Sequence, residues 1–494
     1  MPATSPTPEA TARDSRSSAT AQRQALLILL IAVVLGSGLR FYRLGVEEMN
    51  RGEAAAWTAA VAPDLRSVFV ASKALDPGKS GLYDLVLHLW IAQVGDQVGP
   101  MRSLSAFCGT LSIILLFLAV RAIMRSFDDP PDEALALMAA AFAALLYACN
   151  LRMITTDRIA RMYPLMLTAI FAQLWCFARA HRQKSVATIV GAAILTDVAV
   201  ACNFTAMFFF GAEALWLVYL GLVNNGRKRI SHLSIWRPAG ALMLAGLLFL
   251  PVGITDARIA ISTMHAGILG AIAPQAPWWP LRAIQVLTGN AAFWTVTALA
   301  IFGGSARWRR APLAIRFMLC WLLLPFALIE AVSYLITPLM VERYVLASLV
   351  AVLVIAAIGL AALPDGIIRY AAILLIVGQS LAHVRHHWRI PEDVQWREAA
   401  RFAVDSLPAG QTIAVIPPAE PLMVLRYYLP ADQRGVVVSA DAHSSPEHRE
   451  WQLHCGSEPI LIVSTEVPRG SWPSIEACYP RLLAHLRLVD VRGR

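Results

Sequence analysis

The sequence predicts a mainly α, polytopic membrane protein of about eleven transmembrane helices, with amphipathic helices in its first outer loop and a small C-terminal α/β extracytoplasmic domain. Three observations predict this. Hydrophobic residues make up 57% of the chain against 15% charged, with a mean hydropathy of +0.57, which is too apolar for a soluble protein of 494 residues. Apolar runs close to the length of a bilayer core recur along the chain. After Arg385 the texture changes to short β-rich runs alternating with amphipathic stretches.

Residues 1–24 are a Ser/Thr/Ala/Pro tail carrying Arg13, Arg16 and Arg23, expected to be disordered and cytoplasmic. The run ALLILLIAVVLGSGL ends in RFYRLG with no small-residue cleavage pattern, so it reads as an uncleaved anchor. A transmembrane domain is expected over 25–384, with spans near 25–41, 103–123, 134–150, 163–180, 186–203, 205–222, 238–254, 288–304, 316–336, 345–363 and 368–384. The stretch 42–102 between the first two is too polar to span and too apolar for free coil, so helices lying on the membrane surface are expected there. Residues 385–494 contain TIAVI, GVVVS and PILIVS as strand candidates, with WREAARFAVDS, PLMVLRYYL and SIEACYPRLLAHL as helices. Cys108, Cys149, Cys176, Cys202 and Cys320 lie in or beside apolar runs. Cys455 and Cys478 fall in the polar C-terminal segment and would form a disulfide only outside the cytoplasm.

The net charge of +9 would suggest a nucleic-acid partner in a soluble domain. Here much of the excess sits in short loops, RAIMR, ARAHRQK, NNGRKR and ARWRR, which gives it a topological meaning and argues for no nucleic acid. The positive-inside rule places the N-terminus inside and, after an odd number of spans, the C-terminal domain outside.

The stretch TTDRIARMYPL, 155–165, puts Asp157, Arg158 and Arg161 between two apolar runs. On the expected topology they share an outer face with EEMNRGEAAAW, with DPGKSGLYD and with Arg343 and Tyr344 of VERYVL. Carboxylates (Glu47, Glu48, Glu53, Asp76, Asp84, Asp157) and cations (Arg51, Lys79, Arg158, Arg161, Arg343) thus gather on one side. Charges at membrane depth cost about 2.5–3.5 kcal/mol each on insertion scales and tend to line a pocket or water path. At span ends they also serve as interfacial anchors. The mixture suits a lipid-borne phosphate, held by cations, together with a carboxylate base. No phosphate-cradling Gly-rich loop and no tight metal-ligand spacing is present; a divalent metal becomes an option only if Glu53 and Asp157 converge.

These residues also resemble those of the polytopic GT-C glycosyltransferases, in particular bacterial relatives of protein O-mannosyltransferases and the lipid A aminoarabinose transferase. The matching pattern runs through LRFYRLG, Gly52-Glu53-Ala54, SGLYDLVLHLW, Ile159-Ala160-Arg161-Met162-Tyr163, Arg343-Tyr344 and the tail WREAARFAVDSLPAG. Two departures stand out. The first-loop acid of the family is Gly52 here, and the acid of the fourth-span motif is Ile159, with Asp157 two residues earlier. The resemblance implies a multi-pass protein of the bacterial inner membrane. It would move a sugar from a polyprenyl-phosphate donor to an extracytoplasmic acceptor by direct displacement, with no cofactor. On that reading Glu53 and Asp157 are the catalytic carboxylates, and Lys79, Arg161, Tyr163, Arg343 and Tyr344 bind the donor. The alternatives are a lipid or glycan flippase and a catalytically degenerate scaffold. A flippase predicts inverted repeats, which the two halves do not show.

Overall fold

The computed structural model describes residues 8–76, 79–127, 133–224, 232–265, 279–288, 292–307, 312–335, 340–364, 366–389, 396–406, 412–416, 420–430, 437–439, 442–443, 452–453 and 460–464. Helix α1, Pro8–Phe41, begins well before the expected span and carries its apolar part over Ala19–Phe41. The first loop folds into three short helices, α2 (Arg51–Ala60), α3 (Leu65–Leu75) and α4 (Leu82–Val94). Then follow α5 (Val98–Phe127), α6 (Glu133–Cys149), the short α7 (Leu151–Asp157), α8 (Tyr163–Arg182), α9 (Val186–Cys202) and α10 (Met207–Asn224). The rest of the bundle is α11 (His232–His265), α12 (Trp279–Thr288), α13 (Phe293–Arg307), α14 (Pro312–Leu335), α15 (Leu346–Ala362) and α16 (Ile367–His387).

Seven described helices are long and apolar enough to cross a membrane. Nine do so if α6 with α7, and α12 with α13, each count as one bent span. This falls short of the eleven expected, for two local reasons. Helix α9 has 17 residues, about 25 Å at the helical rise and less than a bilayer core. Helix α8 opens on Tyr163-Pro164 and closes on Arg179, His181 and Arg182, which leaves it a weaker apolar stretch.

Helix α5 packs along α8, α1 along α6, and α13 along α15. Helix α15, LASLVAVLVIAAIGLAA, is buried along nearly its whole length and forms the centre of the bundle. Exposed Leu, Ile and Val side chains instead coat α1, α11 and α16, as expected of helices whose outer sides face lipid tails. Mid-bundle, Gln173 of α8 donates to Glu213 of α10 at 2.8 Å, so this buried carboxyl serves helix contact.

After the last span come α17 (Trp396–Ser406), strand β1 (Thr412–Ile416), α18 (Glu420–Tyr428) and strands β2 (Val437–Ser439), β3 (Ala442–His443), β4 (Gln452–Leu453) and β5 (Ile460–Ser464). The sheet order is β2-β1-β5, all parallel, with Ala414 opposite Val438 on one side and Ile462 on the other. Cys455, Cys478 and SIEACYPRLLAHL lie outside the described residues. Helices α17 and α18 rest on the first loop. Glu48 accepts the backbone N–H groups of Trp396 and Arg397, capping the start of α17. The Tyr428 hydroxyl accepts from Met49 N at 2.7 Å, and the Tyr427 hydroxyl donates to Asp96 O at 3.0 Å.

Where α13 crosses α15, a Cβ on Gly359 would overlap the Leu299 carbonyl oxygen, and one on Gly303 would overlap the backbone of Ile355 and Gly359. Only glycine lets the two backbones meet this closely. Gly359→Ala is therefore expected to cost about 1–3 kcal/mol by overpacking, read as a lowered unfolding midpoint in detergent. An unchanged midpoint would show that the helices do not cross there.

Candidate functional site

The site is built where α7 turns into α8, at the end of the bundle that carries the first loop. The turn 158–162 connects the two helices, and each charge around it has a different partner. Asp157, fully buried, accepts from Arg40 Nε of α1 at 2.8 Å; Arg40 also donates to Gly36 O and Ala148 O. Arg158 reaches back to the end of α1, donating to the carbonyls of Leu39, Arg40 and Tyr42, and pairs with Glu47 at 3.0 Å. That closes the unsatisfied last turn of α1 with a cation, as a helix C-terminus favours.

Glu53 is held harder still. Asn50 and Glu53 form a capping box at the start of α2, each side chain meeting the other's backbone N–H at 3.0 Å. Arg102, at the start of α5, grips both Glu53 oxygens at 2.7 Å, and Ala160 N donates to Oε1 at 2.7 Å. Glu53 therefore accepts four hydrogen bonds in a fully buried setting. It ties the first loop to α5 and to the 158–162 turn. The two carboxylates expected as bases are thus each committed to a buried arginine, and they do not converge on one point. Among the described residues no group of three His, Cys, Asp or Glu side chains is placed to hold a metal.

The five expected binding residues do come together. Arg161 leaves the turn, donates to Gly52 O at 2.8 Å and pairs with Asp76 Oδ2 at 3.0 Å. Lys79, 2% exposed, lies 2.7 Å from Asp84 Oδ2 and 3.9 Å from Asp76 Oδ2. Its position is fixed by the next residue: Ser80 donates through both N and Oγ to Ala201 O at the end of α9. Gly81 then starts α4 at φ +90°, a conformation that a side chain would strain. Tyr163 opens α8 within electrostatic reach of Arg161, Arg343, Tyr344 and Asp76. Arg343, on a 3-10 turn over Glu342–Val345, lies across the Tyr344 ring at 5.5 Å. Burial opposes the Arg161 charge, but Asp76, Tyr163 and Asp84 more than offset it, and its pKa lies above the ordinary arginine value. Lys79 and Arg161 thus share Asp76, and Arg161 in turn lies near Tyr163 and Arg343. These cations, drawn from three separate stretches of chain, have the chemistry to hold an anion.

Arg102 is the residue that reading by motif passes over, and the roles of Arg40 and Asp76, though both stand in quoted stretches, come only from their partners. Arg102 gives no local signal in the sequence. Asn50 does, because Asn-x-x-Glu ahead of an apolar run is the spacing of a capping box and assigns Glu53 to a helix start. A separate cleft of about 400 Å³, lined by Gly45, Asp96, Gln97, Arg397, Tyr427 and Tyr428 among others, includes none of the charged cluster.

Comparison with solved structures settles the architecture. ArnT from Cupriavidus metallidurans bound to undecaprenyl phosphate matches 84% of this chain and 89% of its own at TM-score 0.58 and 14% identity. This is the GT-C fold. The apo state of the same ArnT matches at TM-score 0.53 and 13% identity over 85% and 90% of the two chains. The oligosaccharyltransferase AglB from Archaeoglobus fulgidus, in complex with an inhibitory peptide and a dolichol-phosphate, matches at TM-score 0.51 and 13% identity over 82% of this chain. The chain spans 63% of AglB's length. No protein-family model and no curated protein matches the sequence. The likeness is one of GT-C fold, carried by helix arrangement more than by residue identity.

The Arg40–Asp157 pair gives a test of the frame around this site. Arg40→Met alone strands a buried charge and is expected to destabilise by about 3–5 kcal/mol. Arg40→Met with Asp157→Leu should recover most of that loss in a denaturant titration. A double variant as unstable as the single one would show that the pair does more than neutralise itself.

Proposed function

We propose that this chain is a membrane glycosyltransferase that takes a sugar from a polyprenyl-phosphate carrier and passes it to an acceptor outside the cytoplasm. The observation that carries the reading is the pairing of Lys79 and Arg161 on Asp76, with Arg343 close by beside Tyr163 and Tyr344, at one end of the bundle. A lipid carrier presents its phosphate at the membrane surface, where this cluster sits beside the first-loop helices. Both ArnT and AglB are glycosyltransferases of this fold, one solved with undecaprenyl phosphate and the other with a dolichol-phosphate. That makes a polyprenyl phosphate the first ligand to test.

On this reading Lys79 and Arg161 hold the carrier phosphate and stabilise the charge that grows on it as the sugar departs. Arg343, the exposed cation of the cluster, meets the donor as it enters. Tyr163 and Tyr344 supply hydroxyls and ring faces for the sugar. Glu53 and Asp157 act through what they hold: Glu53 fixes Ala160 and so the start of Arg161, and Asp157 fixes α7 against α1. The same orientation puts the loop 42–102 and the C-terminal strands outside the cytoplasm, with the chain crossing the bacterial inner membrane.

The purified protein in nanodiscs is expected to bind undecaprenyl phosphate. Each lost charge-assisted hydrogen bond is worth roughly 1.5–3 kcal/mol, so Lys79→Ala and Arg161→Ala should each weaken binding by about tenfold or more. Full affinity in both variants would remove the cluster from the donor site.

A further inference from the structure

Transfer of a sugar to a hydroxyl or amine needs a group that takes the acceptor proton, and the carboxylates of this rim can be sorted by what they already do. Glu53 accepts four hydrogen bonds and is fully buried. Asp157 is fully buried against Arg40. Asp84 is fully buried beneath Lys79. Glu47 is spent on Arg158, and Glu342 sits beside Arg152, with no ion pair to Lys79 or Arg161 among the described residues. Glu47 is partly open, at 34% exposed, but it faces Arg158 and not the donor cations. Asp76 alone among these is both partly open, at 23%, and set on the two cations, its Oδ2 3.0 Å from Arg161 and 3.9 Å from Lys79, and no described residue hydrogen-bonds its Oδ1.

The opposite wall makes room for this arrangement. Residue 52 is a glycine, and a Cβ there would lie 3.2 Å from the Arg161 guanidinium. Without that side chain Arg161 lies flat over the start of α2, bonded to Gly52 O, and turns its other nitrogen to Asp76. Asp76 terminates α3 as its C-cap, with its N–H on Ser72 O at 2.9 Å, so the carboxylate is delivered by the end of a surface helix.

Resting on the donor reading above, we infer that Asp76 is the general base of this site, and that it also occupies the phosphate seat until the donor arrives. The step balances as follows. The donor phosphate displaces Asp76 from Arg161 and Lys79, while Asp84 keeps Lys79 anchored. The acceptor oxygen or nitrogen attacks the anomeric carbon, and the carbon–oxygen bond to phosphate breaks. The electron pair leaves on the phosphate oxygen, and the acceptor proton passes to Asp76. Negative charge thereby moves from the carboxylate to the phosphate within reach of the same two cations, so the net charge beside them does not change.

The test uses the full chain in nanodiscs, with undecaprenyl phosphate as binding probe. Undecaprenyl-phosphate mannose and undecaprenyl-phosphate aminoarabinose, supplied with native membranes as acceptor source, are the transfer probes. Asp76→Asn is expected to bind undecaprenyl phosphate as tightly as the wild type or more so, because it removes a competing carboxylate. Release of undecaprenyl phosphate from the sugar donors should fall by about 10²–10⁴-fold, the usual worth of a positioned base. Asp76→Glu should retain part of the activity. Transfer by Asp76→Asn within threefold of wild type overturns the inference, as does loss of undecaprenyl phosphate binding in that variant, which would make Asp76 structural. A wild type that binds no undecaprenyl phosphate overturns the donor reading itself, and the inference with it.

Discussion

The grip of Arg102 on Glu53 is the interaction on which the geometry of this end of the bundle depends. All five guanidinium N–H groups of Arg102 are used: two on the Glu53 carboxylate and three on the carbonyls of Leu44, Glu47 and Glu48. A lysine could not make this set of contacts, since its point charge lacks the planar fork. Taking both charges out of water costs several kcal/mol per ion, and only complete hydrogen bonding offsets that. The Glu53 side chain, with four donors, meets the condition. In exchange the loop from Gly45 to Ala60 is fixed against α5, and through Ala160 N the same carboxylate fixes the turn that carries Arg161.

Two consequences follow from that clamp. Glu48, whose carbonyl is held by Arg102, presents its side chain to the start of α17, so the segment beyond the last span docks on a surface already made rigid by the clamp. Trp57 and Tyr427 meet edge-on at 5.1 Å in the same interface. On the other side, α3 and α4 bring Asp76, Lys79 and Asp84 against Arg161, with Ser80 tied to the end of α9. The charged cluster is thus suspended between elements that are each fixed by a buried or capped contact. Of its members Asp76 and Arg161 keep part of their surface open, while Lys79 and Asp84 are buried.

Burial separates the groups that hold the frame from those that stay partly open. Arg40, Arg102, Glu53 and Asp157 have almost no exposure and bind each other. Arg161, Asp76 and Arg343 keep part of their surface open.

The class of protein was legible in the sequence because a bilayer imposes a one-dimensional rule: apolar runs of fixed length and basic loops can be counted along the chain. Lys79, Arg161, Tyr163, Arg343 and Tyr344 could be singled out too, since charges beside apolar runs stand out and their order resembles a known pattern. Span number was less so, because α8 and α9 are marginal in composition and length and depend on neighbours for their place. What Glu53 and Asp157 face could not be read from their positions. Their partners, Arg102 and Arg40, stand 49 and 117 residues away along the chain, and a carboxylate looks the same in sequence whether it is open or fully bonded. Only the packing of α1, α2, α5 and α7 decided that these acids hold the frame while Asp76 stays partly open, since hydrogen-bond saturation is a property of three-dimensional neighbours.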